Sequence, residues 1–128
     1  MTGWQTSGQA VVDYTEAGGM TGDRLTHWYW YGCYDNCTTY QTVTVLEDGT
    51  YSLTAYFCGG ESNAAYLFAR DFGGTEMRAD IPVIDYGNWT PITIDNIQVT
   101  NGMMTIGVYT SGSVWLSMDS VRLVRTGD

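Results

Sequence analysis

The sequence predicts an all-β domain, an antiparallel β-sandwich or jelly roll, on the strength of three observations. Apolar and polar residues alternate with a period of two, and no segment has convincing helical periodicity. Turn clusters such as Gly18-Gly19, Gly73-Gly74 and Asn101-Gly102 separate the alternating segments. The 128 residues include 16 glycines and 2 prolines, which suits a chain that reverses direction often. About eight to ten short strands at this spacing are typical of sandwiches and jelly rolls.

The strongest predicted strand covers residues 50–58, with its odd-numbered residues facing the core and its even-numbered ones, including Cys58, facing outwards. Strand 40–46 precedes it. The intervening Glu47-Asp48-Gly49 predicts a hairpin, because Asp-Gly readily adopts positive φ. The other predicted strands cover residues 10–14, 25–30, 64–70, 76–83, 89–99, 103–109 and 114–124.

Alternation also predicts which side chains leave the core. Strand 64–70 buries Ala65, Leu67 and Ala69, so it presents Tyr66, Phe68 and Arg70 on its other side. Such a row is unusual for a solvated face, and Tyr109 is also predicted to point outwards. In the last strand, Val121 and Leu123 are predicted to face the core, and three residues to face the other side if no bulge intervenes: Trp115, Ser117 and Asp119. Any single aromatic can equally lie under a loop, but the set indicates an exposed aromatic surface.

Charge excludes several functions. The formal net charge is −9, and the five basic residues are all arginines scattered along the chain, so a phosphate backbone or an anionic membrane is a poor partner. No apolar run approaches the roughly 20 residues of a membrane span.

Catalysis is also disfavoured, since the single histidine, His27, has no nucleophile motif beside it and the glutamates fall near turns.

The 18 aromatic residues suit sugar binding, because the C–H groups of a pyranose pack well on the negative face of an aromatic ring. Segment 27–34 is the richest in Trp and Tyr. Planar polar side chains bind pairs of sugar hydroxyls through hydrogen bonds. Gln41 and Glu61 are two candidates for this role. The candidate glycan-binding residues are Trp30, Tyr31, Tyr34, Asn63, Tyr66, Arg70 and Trp115.

Three cysteines leave one thiol over if a disulfide forms. The predicted hairpin makes Cys37 only a diagonal neighbour of Cys58, at a Cβ separation of roughly 7 Å, whereas a disulfide needs about 3.8 Å. Cys33 and Cys37 share one loop and pair more easily. We therefore predict a Cys33–Cys37 disulfide that braces the Tyr34 loop, with Cys58 left as a thiol near the binding face.

Several stretches together resemble carbohydrate-binding modules with the galactose-binding-like jelly-roll fold. They are Gly22-Asp23-Arg24-Leu25-Thr26-His27-Trp28, residues 40–53, Gly59-Gly60, Tyr66-Leu67-Phe68-Ala69 with Phe72-Gly73-Gly74, Val99-Thr100-Asn101-Gly102 with Thr105-Ile106-Gly107, and Trp115 with Asp119. The Leu-Phe-Ala and Gly-Gly stretch is most similar to modules appended to bacterial endo-β-1,4-galactanases, the family 61 type. The usual N-terminal acidic strand is missing, and the insertion 33–37 is not a pattern of the family.

The resemblance implies a noncatalytic module of 1–128, excised from a larger secreted bacterial protein and linked there to a catalytic domain. It implies a plant polysaccharide ligand, β-1,4-galactan or another galactose-containing glycan, and a structural Ca²⁺ held by Asp119 and, more loosely, Asp23. We expect a monomer that binds no nucleic acid and no membrane. Two alternatives stay open: a module for xylan, glucan or mannan, or a structural or adhesive sandwich domain with no glycan ligand.

Overall fold

The computed structural model describes residues 5–7, 14–19, 22–28, 37–61, 64–84, 88–111 and 115–127. Within them, side chains are described for 37–59, 65–84, 88–111 and 116–127. All regular elements of the described residues are strands: β1 (Gln5–Ser7), β2 (Tyr14–Gly19), β3 (Gly22–Trp28), β4 (Cys37–Thr44), β5 (Gly49–Glu61), β6 (Ala64–Arg70), β7 (Met77–Asp80), β8 (Thr90–Val99), β9 (Met103–Ser111) and β10 (Trp115–Gly127). No helix in this part of the chain is long and apolar enough to cross a membrane.

The strands form two antiparallel five-stranded sheets, which confirms the predicted all-β sandwich. Sheet A has the order β1-β4-β9-β6-β7, and sheet B the order β2-β3-β10-β5-β8. The predicted hairpin between 40–46 and 50–58 is wrong, because β4 pairs with β1 and β9 whereas β5 pairs with β8 and β10. Residues 45–48 therefore join the two sheets. Val45 turns the chain at a φ of 59°, and the Tyr51 hydroxyl donates a 2.7 Å hydrogen bond to the Glu47 carbonyl.

The core lies between the inner faces of the sheets, as alternation predicts for β5 and β6. Leu53, Ala55 and Phe57 of β5 are fully buried, and Leu67 and Ala69 of β6 are 1% and 0% exposed. Further strands complete the core through apolar residues: Ile94, Ile97, Val99, Met104, Ile106, Val108, Leu116 and Met118.

Cys58 departs from the prediction, because it is buried among the core residues and not exposed near a binding face. The alternation of β5 ends there, where Phe57, Cys58 and Gly59 are consecutively buried. Gly59 has a φ of 95°, and the pairing with β10 shifts register beside it. Cys37 is disulfide-bonded and Cys58 is a thiol, as predicted, and the predicted partner Cys33 lies outside the described residues. The hairpin geometry used to compare the pairings does not hold, since Cys37 and Cys58 lie in different sheets.

Candidate functional site

The outer face of sheet A gathers tyrosine, phenylalanine and arginine side chains from four neighbouring strands. Residues directly opposite each other in antiparallel strands point to the same side of the sheet. Tyr66 is paired with Tyr109 in one row, and in the next row Phe68 and Tyr40 are both paired with Gly107. We call the residues on this surface the aromatic face: Tyr40, Tyr66, Phe68, Arg70, Arg78 and Tyr109.

Gly107 lets the centre of the aromatic face lie close to the backbone. A Cβ added there would lie 2.6 Å from Phe68 Cζ and 2.4 Å from the carbonyl oxygen of Thr39. The Phe68 ring therefore occupies the space that any other residue at 107 would fill. The guanidinium carbon of Arg70 lies 4.8 Å from the centre of this ring. Phe68 is consequently only 2% exposed although it belongs to the outer side of the sheet.

Tyr66 is held between two neighbours. Its ring stacks on Tyr109, with the ring centres 4.9 Å apart and the planes inclined by 29°. The guanidinium carbon of Arg78 lies 4.4 Å from the centre of the Tyr66 ring. Because β6 lies between β9 and β7, these two neighbours approach from opposite sides. Burial raises the pKa of Tyr66, an effect that the nearby Arg78 partly opposes, so its hydroxyl is a neutral donor and acceptor at ordinary pH.

Both arginines of the aromatic face also have carboxylate partners. Arg70 Nε lies 3.8 Å from a carboxylate oxygen of Asp71, and its guanidinium also lies 5.7 Å from the centre of the Tyr40 ring. Arg78 donates from Nε to Glu76. A guanidinium beside a carboxylate offers donors and an acceptor together, which is the combination that a pair of sugar hydroxyls requires.

The structure brings together two of the predicted glycan-binding residues, Tyr66 and Arg70, on one face. Trp115 begins β10 in sheet B, where its backbone is paired with Trp28 and Glu61. The side chain of Trp115 lies outside the described part of the structure, as do four other predicted residues in full: Trp30, Tyr31, Tyr34 and Asn63.

Gln41, a predicted polar partner, belongs to the other side of sheet A, because it is paired with the buried Ile106. The sequence prediction of the site omitted Tyr40, Arg78 and Tyr109. Tyr109 was already predicted to point outwards, but the pairing of β9 with both β4 and β6 is needed to place it beside Tyr66 and near Tyr40. No local pattern carries that information.

The predicted calcium ligands are only partly within the described structure. Asp119 Oδ1 accepts a 2.7 Å hydrogen bond from the Ser120 N–H. Asp23 lies in β3, paired with Ala17, and its side chain is not described. Among the described residues, no three His, Cys, Asp or Glu side chains converge on a metal-sized site.

Comparison with known proteins identifies relatives of the fold. No protein-family model matches the chain. A 1,6-alpha-glucosyltransferase of Sporosarcina globispora is 26% identical over 135 residues, and the match covers 95% of this chain. The chain spans only 10% of that enzyme's length.

Three solved structures of carbohydrate-binding modules superpose on most of the chain. TmCBM61 in complex with β-1,4-galactotriose matches with a TM-score of 0.71 and 22% identity, covering 98% of this chain and 90% of that one. A family 35 module from Paenibacillus barcinonensis has a TM-score of 0.64 and 21% identity, covering 98% and 94%. The xylan-binding domain from CBM22 has a TM-score of 0.63 and 13% identity, covering 99% and 89%. This chain has the galactose-binding-like jelly-roll fold that these carbohydrate-binding modules share.

Proposed function

We propose that the chain is a noncatalytic module that binds a polysaccharide across the aromatic face of sheet A. The observation that carries the proposal is the convergence of three half-buried tyrosines and two arginines on one outer sheet face, in a fold shared with carbohydrate-binding modules. Exposed aromatic surfaces rimmed by polar residues commonly mark interaction sites.

The chemistry of the aromatic face suits a sugar chain. Phenol rings offer apolar surface for sugar C–H groups, while tyrosine hydroxyls and the Arg–carboxylate pairs bind sugar hydroxyls. Tyr66 is already fixed between Tyr109 and Arg78. Because fewer side-chain rotations are lost when a ligand binds, this arrangement favours affinity.

For the ligand we propose β-1,4-galactan, and for the parent protein a secreted glycoside hydrolase that the module targets to plant cell walls. The resemblance to galactanase modules and the match to TmCBM61, which was solved with β-1,4-galactotriose, support this choice. An α-1,6-linked glucan is the second candidate, because the chain also matches part of a 1,6-alpha-glucosyltransferase.

Affinity electrophoresis on gels containing galactan, xylan, β-glucan, mannan or dextran tests the proposal. We expect retardation by galactan and no release of reducing sugar from any of the polysaccharides. Retardation by dextran alone would support the second candidate. Absence of retardation in every gel would reject glycan binding, and release of reducing sugar would reject the noncatalytic assignment.

Substitutions then locate the site. Arg70→Ala should weaken binding by roughly thirtyfold, since losing an anchor costs about 2 kcal/mol and each tenfold change about 1.4 kcal/mol. The matched control is Arg125→Ala, which removes an arginine paired with Glu47, away from the aromatic face. Trp115→Ala tests the predicted residue in sheet B. Normal binding by Arg70→Ala together with loss of binding by Trp115→Ala would move the site away from the aromatic face.

A further inference from the structure

A small pocket opens on the other side of the molecule, on the outer face of sheet B. It has a volume of about 150 Å³ and is lined by Thr54, Tyr56, Ser120 and Arg122. Ligand pockets for drug-sized molecules usually measure about 300–1,000 Å³, so this one is suited to a single small unit and not to a long chain.

A β-bulge builds the pocket. Asp119 is paired with Tyr56 and Arg122 with Thr54, so three steps along β10 match two steps along β5. The extra residue falls beside Ser120, which has a φ of 52°. As a result, Arg122 and Asp119 both point to the outer side, although they are an odd number of residues apart. Bulges commonly redirect a side chain next to a functional site.

Arg122 differs from the other arginines with described side chains. Arg70, Arg78 and Arg125 each form an ion pair with a carboxylate. Arg122 is exposed and forms no ion pair with any described residue. In a chain with a net charge of −9, a guanidinium that opens onto a pocket without a carboxylate partner is the unusual member of the set.

The lining residues fit a sugar unit that carries a carboxylate. Arg122 can bind a carboxylate through two parallel N–H donors, Tyr56 supplies an aromatic ring, and Thr54 and Ser120 supply hydroxyls. Asp119 precedes Ser120 in β10 but is not among the residues that line the pocket, and its Oδ1 accepts from the Ser120 N–H. At physiological salt, charges beyond about 8 Å are largely screened, so acidic residues farther away than that contribute little repulsion to an incoming carboxylate.

We propose that this pocket is a second binding site, independent of the aromatic face, for a uronic acid unit of a glycan. The module would then hold neutral and acidic portions of a polysaccharide on opposite sheets. Binding in this pocket does not require that the aromatic face binds glycan, so either proposal can be rejected without rejecting the other.

The test is an NMR titration of the ¹⁵N-labelled protein with methyl β-glucuronide and, in parallel, methyl β-glucoside, which differ only at the carbon-6 carboxylate. The glucuronide should shift the amides of Thr54, Tyr56 and Arg122, and the glucoside should not. Arg122→Gln should weaken glucuronide binding at least about tenfold, whereas Arg125→Ala, an arginine paired with Glu47 outside the pocket, should leave it unchanged, and added salt should weaken it. Equal shifts with both sugars, no shifts at these amides, or wild-type binding by a folded Arg122→Gln would each overturn the proposal.

Discussion

Replacing Gly107 with alanine tests how the aromatic face is built. Gly107 lies in the central strand of sheet A, and its φ does not fall in the left-handed region. The backbone therefore tolerates alanine, and the effect should come from packing alone. The added Cβ would lie 2.6 Å from Phe68 Cζ, about 1 Å inside the optimal carbon–carbon separation of about 3.5 Å.

The cost follows from the two atoms that the methyl group meets. Phe68 can relieve its contact only by tilting outwards and disturbing Arg70 above it. The second atom, the Thr39 carbonyl oxygen at 2.4 Å, belongs to the backbone of the paired strand and cannot rotate away. Overpacking of this kind costs about 1–3 kcal/mol, and the backbone contact favours the upper end. Alanine recovers about 0.5–1 kcal/mol of strand propensity relative to glycine. The net destabilisation should be about 2 kcal/mol.

Thermal unfolding followed by circular dichroism measures this change. For a domain of this length, 1 kcal/mol shifts Tm by about 4 °C, so Gly107→Ala should melt about 8 °C below the wild type. The matched control is Gly127→Ala, where an added Cβ meets nothing within 4 Å, and it should alter stability by less than about 0.5 kcal/mol. Equal melting of Gly107→Ala and the wild type would refute the close approach of Phe68. An equal loss in Gly127→Ala would show that the effect is not specific to this contact.

Three further predictions concern calcium, the cysteines and pH. If calcium binds, free calcium at a hundredfold excess over its Kd stabilises the folded state by about 2.7 kcal/mol. A chelator should therefore lower Tm by several degrees, and Asp119→Asn should reduce the Tm difference between samples with and without chelator. Equal Tm values with and without chelator would exclude a stabilising calcium. Peptide mapping of unreduced protein should find Cys33 linked to Cys37, with the buried Cys58 alkylated only after unfolding; a cross-linked peptide containing Cys58 would contradict this. Because burial raises the pKa of Tyr66, its contribution to stability is complete below about pH 10 and falls at higher pH, and Tyr66→Phe should reduce that fall in alkaline melting curves.

Alternation along single strands predicts the sidedness of β5 and β6 because side-chain direction in a strand is a local property with a period of two. It correctly places Leu53 and Leu67 in the core and Tyr66 on the outside. Pairing between strands is not local. Asp48-Gly49 indicates that the chain turns, but it does not say whether the next strand continues the same sheet. The mistaken hairpin follows from that limit, since β5 starts the other sheet.

The last strand shows the same limit at smaller scale. For a strand without a bulge, the sequence analysis places the side chain of Asp119 on the side of the sheet opposite to Val121 and Leu123. These residues are all at odd positions, so a regular strand would direct them to the same side. The structure does place Asp119 outwards, beside Tyr56, and pairs Leu123 with the buried Leu53, because the β10 bulge changes the parity between them. The predicted directions of Asp119 and Leu123 were therefore correct for a reason that the alternation pattern does not contain, whereas Ser117, which was predicted on the same side as Asp119, is fully buried.

The structure also changes how Tyr66 is expected to meet a ligand. An isolated tyrosine on a sheet would offer a sugar the face of its ring. Here Tyr109 and Arg78 flank that ring on both sides, so Tyr66 is expected to present mainly its edge and hydroxyl to the solvent. Arg78 and Glu76 then become part of the proposed contact surface, since Arg78 packs on the Tyr66 ring and donates to Glu76, and together they carry donors and acceptors. Stacking on Tyr66 alone would thus not account for the proposed binding, and the proposed site includes polar groups of β7 and of the residue before it, which only the pairing of β7 with β6 brings close.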